Sequence, residues 1–197
     1  FTGTQMHSAI QDLFRRYPLT PIYVDQEEVL EGHTLNINRA TGIRDAISTL
    51  IADGKKKILR CGNLDSREKG LQEAFQNTPP EKRPELIRIP GTGTFENGRS
   101  RAEKILDSGA DAVFFDTDRM ALGFLNYAAE HGVKIPERIA VIGFDDDASG
   151  RLVYPSLSTV AHPVEALNQA ILSIIQKKPE APVHQVFPTR FIRRMSS

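Results

Sequence analysis

The feature that most constrains this chain is an alternation. Short apolar runs are followed by segments with helical spacing, almost without a break from Ile22 onward. Ile22-Tyr23-Val24 comes after Pro21. Residues 41–52 then place Ile43, Ala46, Ile47, Leu50 and Ile51 on one face of an amphipathic helix that Gly54 stops. Ile58-Leu59-Arg60-Cys61 reads as a strand, Glu68 to Phe75 as a helix, Leu86 to Ile89 as a strand ended by Pro90-Gly91, and Ser100 to Leu106 as a helix. Ala112-Val113-Phe114-Phe115 and Ile139-Ala140-Val141-Ile142 are apolar at every position, so both faces of each strand must be covered. Arg119 to Glu130 is a helix between them, Val164 to Ile175 is another, and a last strand is expected near Val186 to Ile192. Strand, helix, strand, helix at this spacing is an α/β signature, a parallel sheet flanked by helices.

Composition enters through what it excludes. A chain of 197 residues makes one domain or two small lobes. Lys+Arg and Asp+Glu are equal at 25 each, so this stretch cannot grip DNA by bulk charge. Cys61 is the one cysteine, which excludes an intramolecular disulfide and a Cys-rich metal site. No apolar run approaches the ~18 residues that span a bilayer, so no membrane partner is expected. The opening Phe1-Thr2-Gly3-Thr4 has no initiator Met and no basic-then-apolar leader, and reads as a piece of a longer chain.

In an open parallel sheet, ligands bind at the carboxyl ends of the strands. Three such ends are polar: Gly62-Asn63-Leu64-Asp65-Ser66-Arg67, Asp116-Thr117-Asp118 and Gly143-Phe144-Asp145-Asp146-Asp147. Carboxylates that accept from hydroxyls and an Arg that donates in a fork suit a polyhydroxylated small ligand. The same residue types also cap helices. Asp118, near a helix start, fits either role, and Arg67 fits either a solvated helix start or a binding role. Asp145 fits the binding role better, because three consecutive acids exceed what a cap requires.

Two catalytic motifs come close and fail. Asp116-x-Asp118 after an apolar strand resembles the opening of the haloacid-dehalogenase phosphatase signature, with Asp145 to Asp147 as a magnesium cluster, but Met120 stands where that signature needs Thr or Val. Gly91-x-Gly93 lacks the third glycine of a dinucleotide fingerprint, whose place Glu96 takes. His7, His33, His131, His162 and His184 show no ligand spacing. No cofactor, no metal and no enzymatic activity are expected.

From Asp111 onward the sequence becomes specific. Ala112 to Gly123 resembles the strand–turn–helix of the lactose-repressor/galactose-repressor (LacI/GalR) family of bacterial regulators. Val133-Lys134-Ile135-Pro136-Glu137-Arg138 running into Ile139 to Asp146 is closer still, and Pro155 to Val160 is similar to the family's crossover between lobes. Pro21 to Asp25, Gly42 to Leu50 and Arg67-x-x-Gly70-Leu71 follow the family's order. The resemblance implies a periplasmic-binding-protein-like core of type I, with two α/β lobes and a small-molecule effector between them. It implies a partial N-terminal lobe at residues 1–54 and 161–176, with Phe1 to Thr4 as a strand end, and a C-terminal lobe at 55–160 and 177–197. By position it makes Asp145 the acceptor for effector hydroxyls and Arg67 the effector-binding arginine, with Asp118 and Asp146 in support. Thr117 stands where members often carry Asn, which shortens the side chain and removes an amide donor. Phe95 is the candidate for the ring that stacks on the effector, although it stands nearer to Gly98 than the family's pattern places it.

The helix after Asp118 carries two apolar stripes: Ala121, Phe124 and Ala128 on one, and Leu122, Leu125 and Ala129 on the other. One stripe covers the sheet. The second needs either a neighbouring helix or a second copy of the chain, and the resemblance selects a homodimer in which Leu122, Leu125 and Tyr154 meet their counterparts. The function implied is the effector-binding and dimerisation core of a cytoplasmic DNA-binding regulator. Its partners are a sugar or sugar-like effector, a second copy, and operator DNA through a helix-turn-helix outside this chain. A periplasmic sugar-binding protein of a transport system is the alternative, and the phosphatase stands behind both.

Overall fold

The computed structural model describes residues 16–17, 20–26 and 32–197, so Phe1 to Thr4 lie outside it. The elements run β1 (Ile22–Val24), β2 (His33–Asn38), α1 (Arg39–Ala52), β3 (Lys57–Cys61), α2 (Asp65–Gln76), β4 (Glu85–Ile89), α3 (Phe95–Ser100), α4 (Ala102–Asp107), β5 (Ala112–Phe115), α5 (Asp118–Glu130), β6 (Ala140–Asp145), β7 (Ser158–Ala161), α6 (Val164–Lys177), β8 (His184–Pro188) and β9 (Arg190–Ile192). The expected single helix from Ser100 to Leu106 is two short helices that meet at Arg101. The alternation is that of an α/β fold with mostly parallel sheets. Among the described residues no helix is long and apolar enough to cross a membrane.

The chain divides into two units, 1–38 with 163–188 and 39–162 with 189–197. The smaller holds a parallel sheet ordered β1-β2-β8, with Leu35, Leu167 and Ile174 buried in its core. The larger holds a sheet ordered β4-β3-β5-β6-β7-β9, in which only β9 is antiparallel. Successive residues of its strands serve opposite faces. Ile58, Phe114, Ile142 and Phe144 pack with Ile43, Ile47 and Leu50 of α1 and Leu71 of α2. Leu59, Val113, Phe115 and Val141 pack with Ile105 of α4 and Met120, Ala121 and Phe124 of α5. Both faces are closed, as the unbroken apolar runs require.

These unit boundaries depart from the expected 1–54 with 161–176 and 55–160 with 177–197. The reason is packing. The apolar stripe of α1 belongs to the core of the larger sheet, so that helix falls with it. The expected last strand is two strands, one in each unit. β8 pairs with β2, while Thr189 next to it is tied to α1, donating to the Arg39 carbonyl at 3.1 Å and accepting from the Gly42 amide at 3.1 Å.

Candidate functional site

β3 lies between β4 and β5, so the chain leaves it in opposite directions along the sheet. A reversal of this kind opens a crevice at the carboxyl ends of the strands. Three polar turns meet there: residues 62–67 after β3, 116–118 after β5 and 145–147 at the end of β6.

Arg67 stands in the first turn of α2 and is buried. Its guanidinium lies 3.6 Å from the centroid of the Phe144 ring, a cation–π geometry. Nη1 donates to Ser66 Oγ at 3.1 Å, and Nε points to the Asp116 carbonyl at 3.4 Å. Nη2 stands 3.9 Å from Asp145 Oδ1, too far for a hydrogen bond. Burial lowers the Arg67 pKa to about 10, and the nearby Asp145 charge offsets only part of that.

Asp145 is at the exposed end of β6 with φ 121°, and Asp146 follows at φ 57°; both are conformations that non-glycine residues rarely adopt. The turn is held by its neighbours. The Asp146 amide donates to Thr159 Oγ1 at 3.3 Å, and its carboxylate accepts from Arg151 at 2.7 Å and from Arg194. Burial works to raise the Asp146 pKa, but the two arginines outweigh it and hold the carboxyl below its usual range. The Asp147 carboxylate caps the short turn that follows, accepting from the Ser149 amide at 2.8 Å.

Asp118 supports the same turn from below. Thr159 donates to its Oδ1 at 2.7 Å and the Asp147 amide to its Oδ2 at 2.7 Å. Burial raises the Asp118 pKa to about 6, against the pull of those two bonds. The cap of α5 is Thr117 instead: its hydroxyl accepts from the Met120 amide at 3.3 Å and donates to the Gly93 carbonyl at 3.1 Å.

Phe95 falls elsewhere. Gly123 of α5 has no room for a side chain, because a Cβ there would stand 2.0 Å from the Phe95 carbonyl oxygen. This backbone contact seats α3 on α5. It places Phe95 in a groove with Asn126, Val153 and the three residues named for the dimer face, Leu122, Leu125 and Tyr154, and not with Arg67 and Asp145. The residue of that loop that touches the rim is Gly93, through Thr117. In this groove Leu125 is buried, Leu122 is half-buried and Tyr154 is 83% exposed.

Two residues near the crevice were not singled out by the sequence. His162, just after β7, places Nε2 3.3 Å from Asp145 Oδ1 and its ring edge-on to Phe144 at 5.1 Å, with Nδ1 unpartnered among the described residues. Arg60, inside β3, is buried against Asp116. Asp116 is therefore not an open carboxylate: Arg60 Nε and Nη2 reach it at 2.9 and 2.8 Å, and the Leu64 amide donates to it at 2.8 Å. Of the aspartates at the rim, Asp145 keeps oxygens turned to a basic group it does not fully engage. A hydroxyl placed between them could accept from Arg67 and donate to Asp145.

Residues 47–197 match the family model of a periplasmic binding protein-like domain. The transcriptional repressor CytR of Escherichia coli (strain K12) is 31% identical over 157 residues, which cover 75% of this chain and 46% of its own. Catabolite control protein A of Priestia megaterium is 30% identical over 142 residues, 68% of this chain and 42% of its own. The chain spans about half the length of the curated relatives it matches. Among solved structures, a LacI-family regulatory protein from Chloroflexus aggregans superposes with a TM-score of 0.74 at 26% identity, covering 95% of this chain and 72% of that one. A LacI-family regulator from Enterococcus faecium with bound ribose superposes with a TM-score of 0.81 at 23% identity, covering 98% and 75%.

Proposed function

Because the chain belongs to the periplasmic-binding-protein-like family, and within it to the effector-binding cores of LacI-type regulators, we propose that it senses a sugar or sugar-like polyol on behalf of a cytoplasmic DNA-binding repressor. The observation that carries this reading is the Arg67–Asp145 pair: a buried guanidinium stacked on Phe144 and an exposed carboxylate, 3.9 Å apart, each with hydrogen-bonding capacity to spare. Donor and acceptor at that separation fit neighbouring hydroxyls. His162 borders the carboxylate and Thr117 forms part of the wall. Effector binding biases the conformational equilibrium of the regulator, whose operator contacts lie outside this chain. The bound ribose of the Enterococcus faecium protein is in keeping with this class of effector. A transport role is disfavoured by relatives that are named as transcriptional regulators. A phosphatase is disfavoured by Asp116, whose oxygens are already engaged by Arg60 and Leu64.

Calorimetric titration with pentoses, hexoses, hexuronates and nucleosides tests the reading. One of them should bind, and Asp145→Ala should weaken it at least tenfold, since a hydrogen bond to a charged group contributes roughly 1.5–3 kcal/mol. Unchanged affinity in that variant removes the site, and no binding across the panel removes the ligand class.

The apolar groove around Tyr154 is the face of a homodimer in the same proposal. Each leucine buried there contributes roughly 1.5–3 kcal/mol to association, and a two-fold axis brings like residues together. Sedimentation at micromolar concentration should find the core dimeric and Leu122→Arg a folded monomer. A monomeric wild type, or a variant that still dimerises, ends that part of the proposal.

A further inference from the structure

A charge sits in β3 where its neighbours are apolar. Arg60, between Leu59 and Cys61, is 5% exposed, and Asp116 is 1% exposed. A buried ion pair is a poor source of stability, because the loss of hydration offsets most of the attraction, and an apolar pair often does as well. Its presence calls for another reason, and the geometry supplies one.

Every side-chain hydrogen bond of the pair outside itself ends on the first residues of α2 or on the residue before them. Arg60 Nη2 donates to the Leu64 carbonyl at 2.7 Å, and Nη1 pairs with Glu68, which Arg88 of β4 also holds at 2.6 Å. Asp116 accepts the Leu64 amide at 2.8 Å. Leu64 is the N-cap of α2, a position that favours Ser, Thr, Asp or Asn, and its side chain makes no capping bond. Both backbone groups of this unsuited cap are instead bonded to the ion pair. Gly62 leaves room for the arrangement: a Cβ there would stand 2.0 Å from Asp116 Cγ. The helix start fixed in this way carries Arg67, and the Asp116 carbonyl faces its Nε.

We propose that Arg60 and Asp116 are a positioning pair, which fixes the backbone of the N-cap residue Leu64 and so holds the Arg67 guanidinium on the Phe144 ring beside Asp145. What the guanidinium is held for rests on the effector reading above; the placement itself can be tested with no effector present.

The experiment uses the whole chain labelled with nitrogen-15 and follows the arginine Nε–H signals, with Arg67→Lys identifying the Arg67 signal by its loss. In the wild type that signal should be resolved and should exchange slowly with water. Arg60→Met combined with Asp116→Ala removes both charges without overfilling the site. The double variant should keep cooperative unfolding while Arg67 Nε–H exchange rises at least tenfold. Arg60→Lys keeps the charge but loses the fork, and should move the signal the same way; it decides the matter should the double variant fail to fold. An Arg67 signal with unchanged shift and exchange in the folded variants overturns the proposal. A signal that moves in a protein binding none of the sugars above still supports the pair, and the fault then lies with the effector reading.

Discussion

Two aspartates close two neighbouring strands of one sheet, and they have opposite fates. Asp116 follows β5 and is sealed in, its oxygens shared by Arg60 and the Leu64 amide. Asp145 ends β6 at φ 121° with a side chain 40% exposed, and its basic neighbours stand at 3.3 and 3.9 Å. The difference does not come from the aspartates. β3 offers Asp116 a partner from inside the sheet, at Arg60, whereas Asp145 meets only groups placed at the rim. An acid answered from within the fold becomes structure, and one left to the rim can answer a ligand. The strain at Asp145 fits this division, since unusual backbone conformations persist where the surroundings impose them.

The widest separation between the two should appear in stability. Asp116→Ala leaves the Arg60 charge buried and without its fork, and should cost about 3–5 kcal/mol in chemical denaturation. Asp145→Ala, at an exposed position, should stay within about 0.5 kcal/mol of wild type. Equal losses would break the comparison. A smaller effect sharpens it through Asp118, the acid beneath the Asp145 turn. Burial raises its folded pKa to about 6 from an ordinary 3.8, so the native state holds this proton more tightly than the unfolded state. The stability it contributes is complete below the unfolded value and is lost as pH rises through about 6. Relative to Asp118→Asn, wild type should therefore gain about 1 kcal/mol of unfolding free energy between pH 7.5 and pH 5. A difference that does not vary with pH would mean that Asp118 does not titrate there.

The alternation that defines this fold was readable because buried strands and amphipathic helices have different periods. β2 escaped notice: in His33 to Asn38 only Leu35 and Ile37 are strongly apolar, and the strand is recognised by its pairing with β8. The unit boundaries were obscured for a related reason. An apolar helix face announces that it is buried and is silent on which sheet buries it. At the rim, Arg67 and Asp145 were legible from the rule of strand ends. The same rule applied to β7 would have reached His162. Phe95 could not be placed by residue type, because the close crossing of α3 and α5 at Gly123 decides its direction. Arg60 did leave a trace: a lone charge inside an apolar strand must have a buried partner.

The position of Cys61 has a practical consequence. It is the chain's one cysteine, fully buried beside Arg60, and burial pushes its thiol pKa up to about 12. A thiol so protonated and so hidden reacts with a disulfide reagent only in molecules whose larger sheet has opened, because the thiolate is the reacting species. Each molecule therefore carries a single clock that starts when β3 comes free. Timed labelling of that one sulfur counts opening events directly, with no added probe and no second site to confuse the reading.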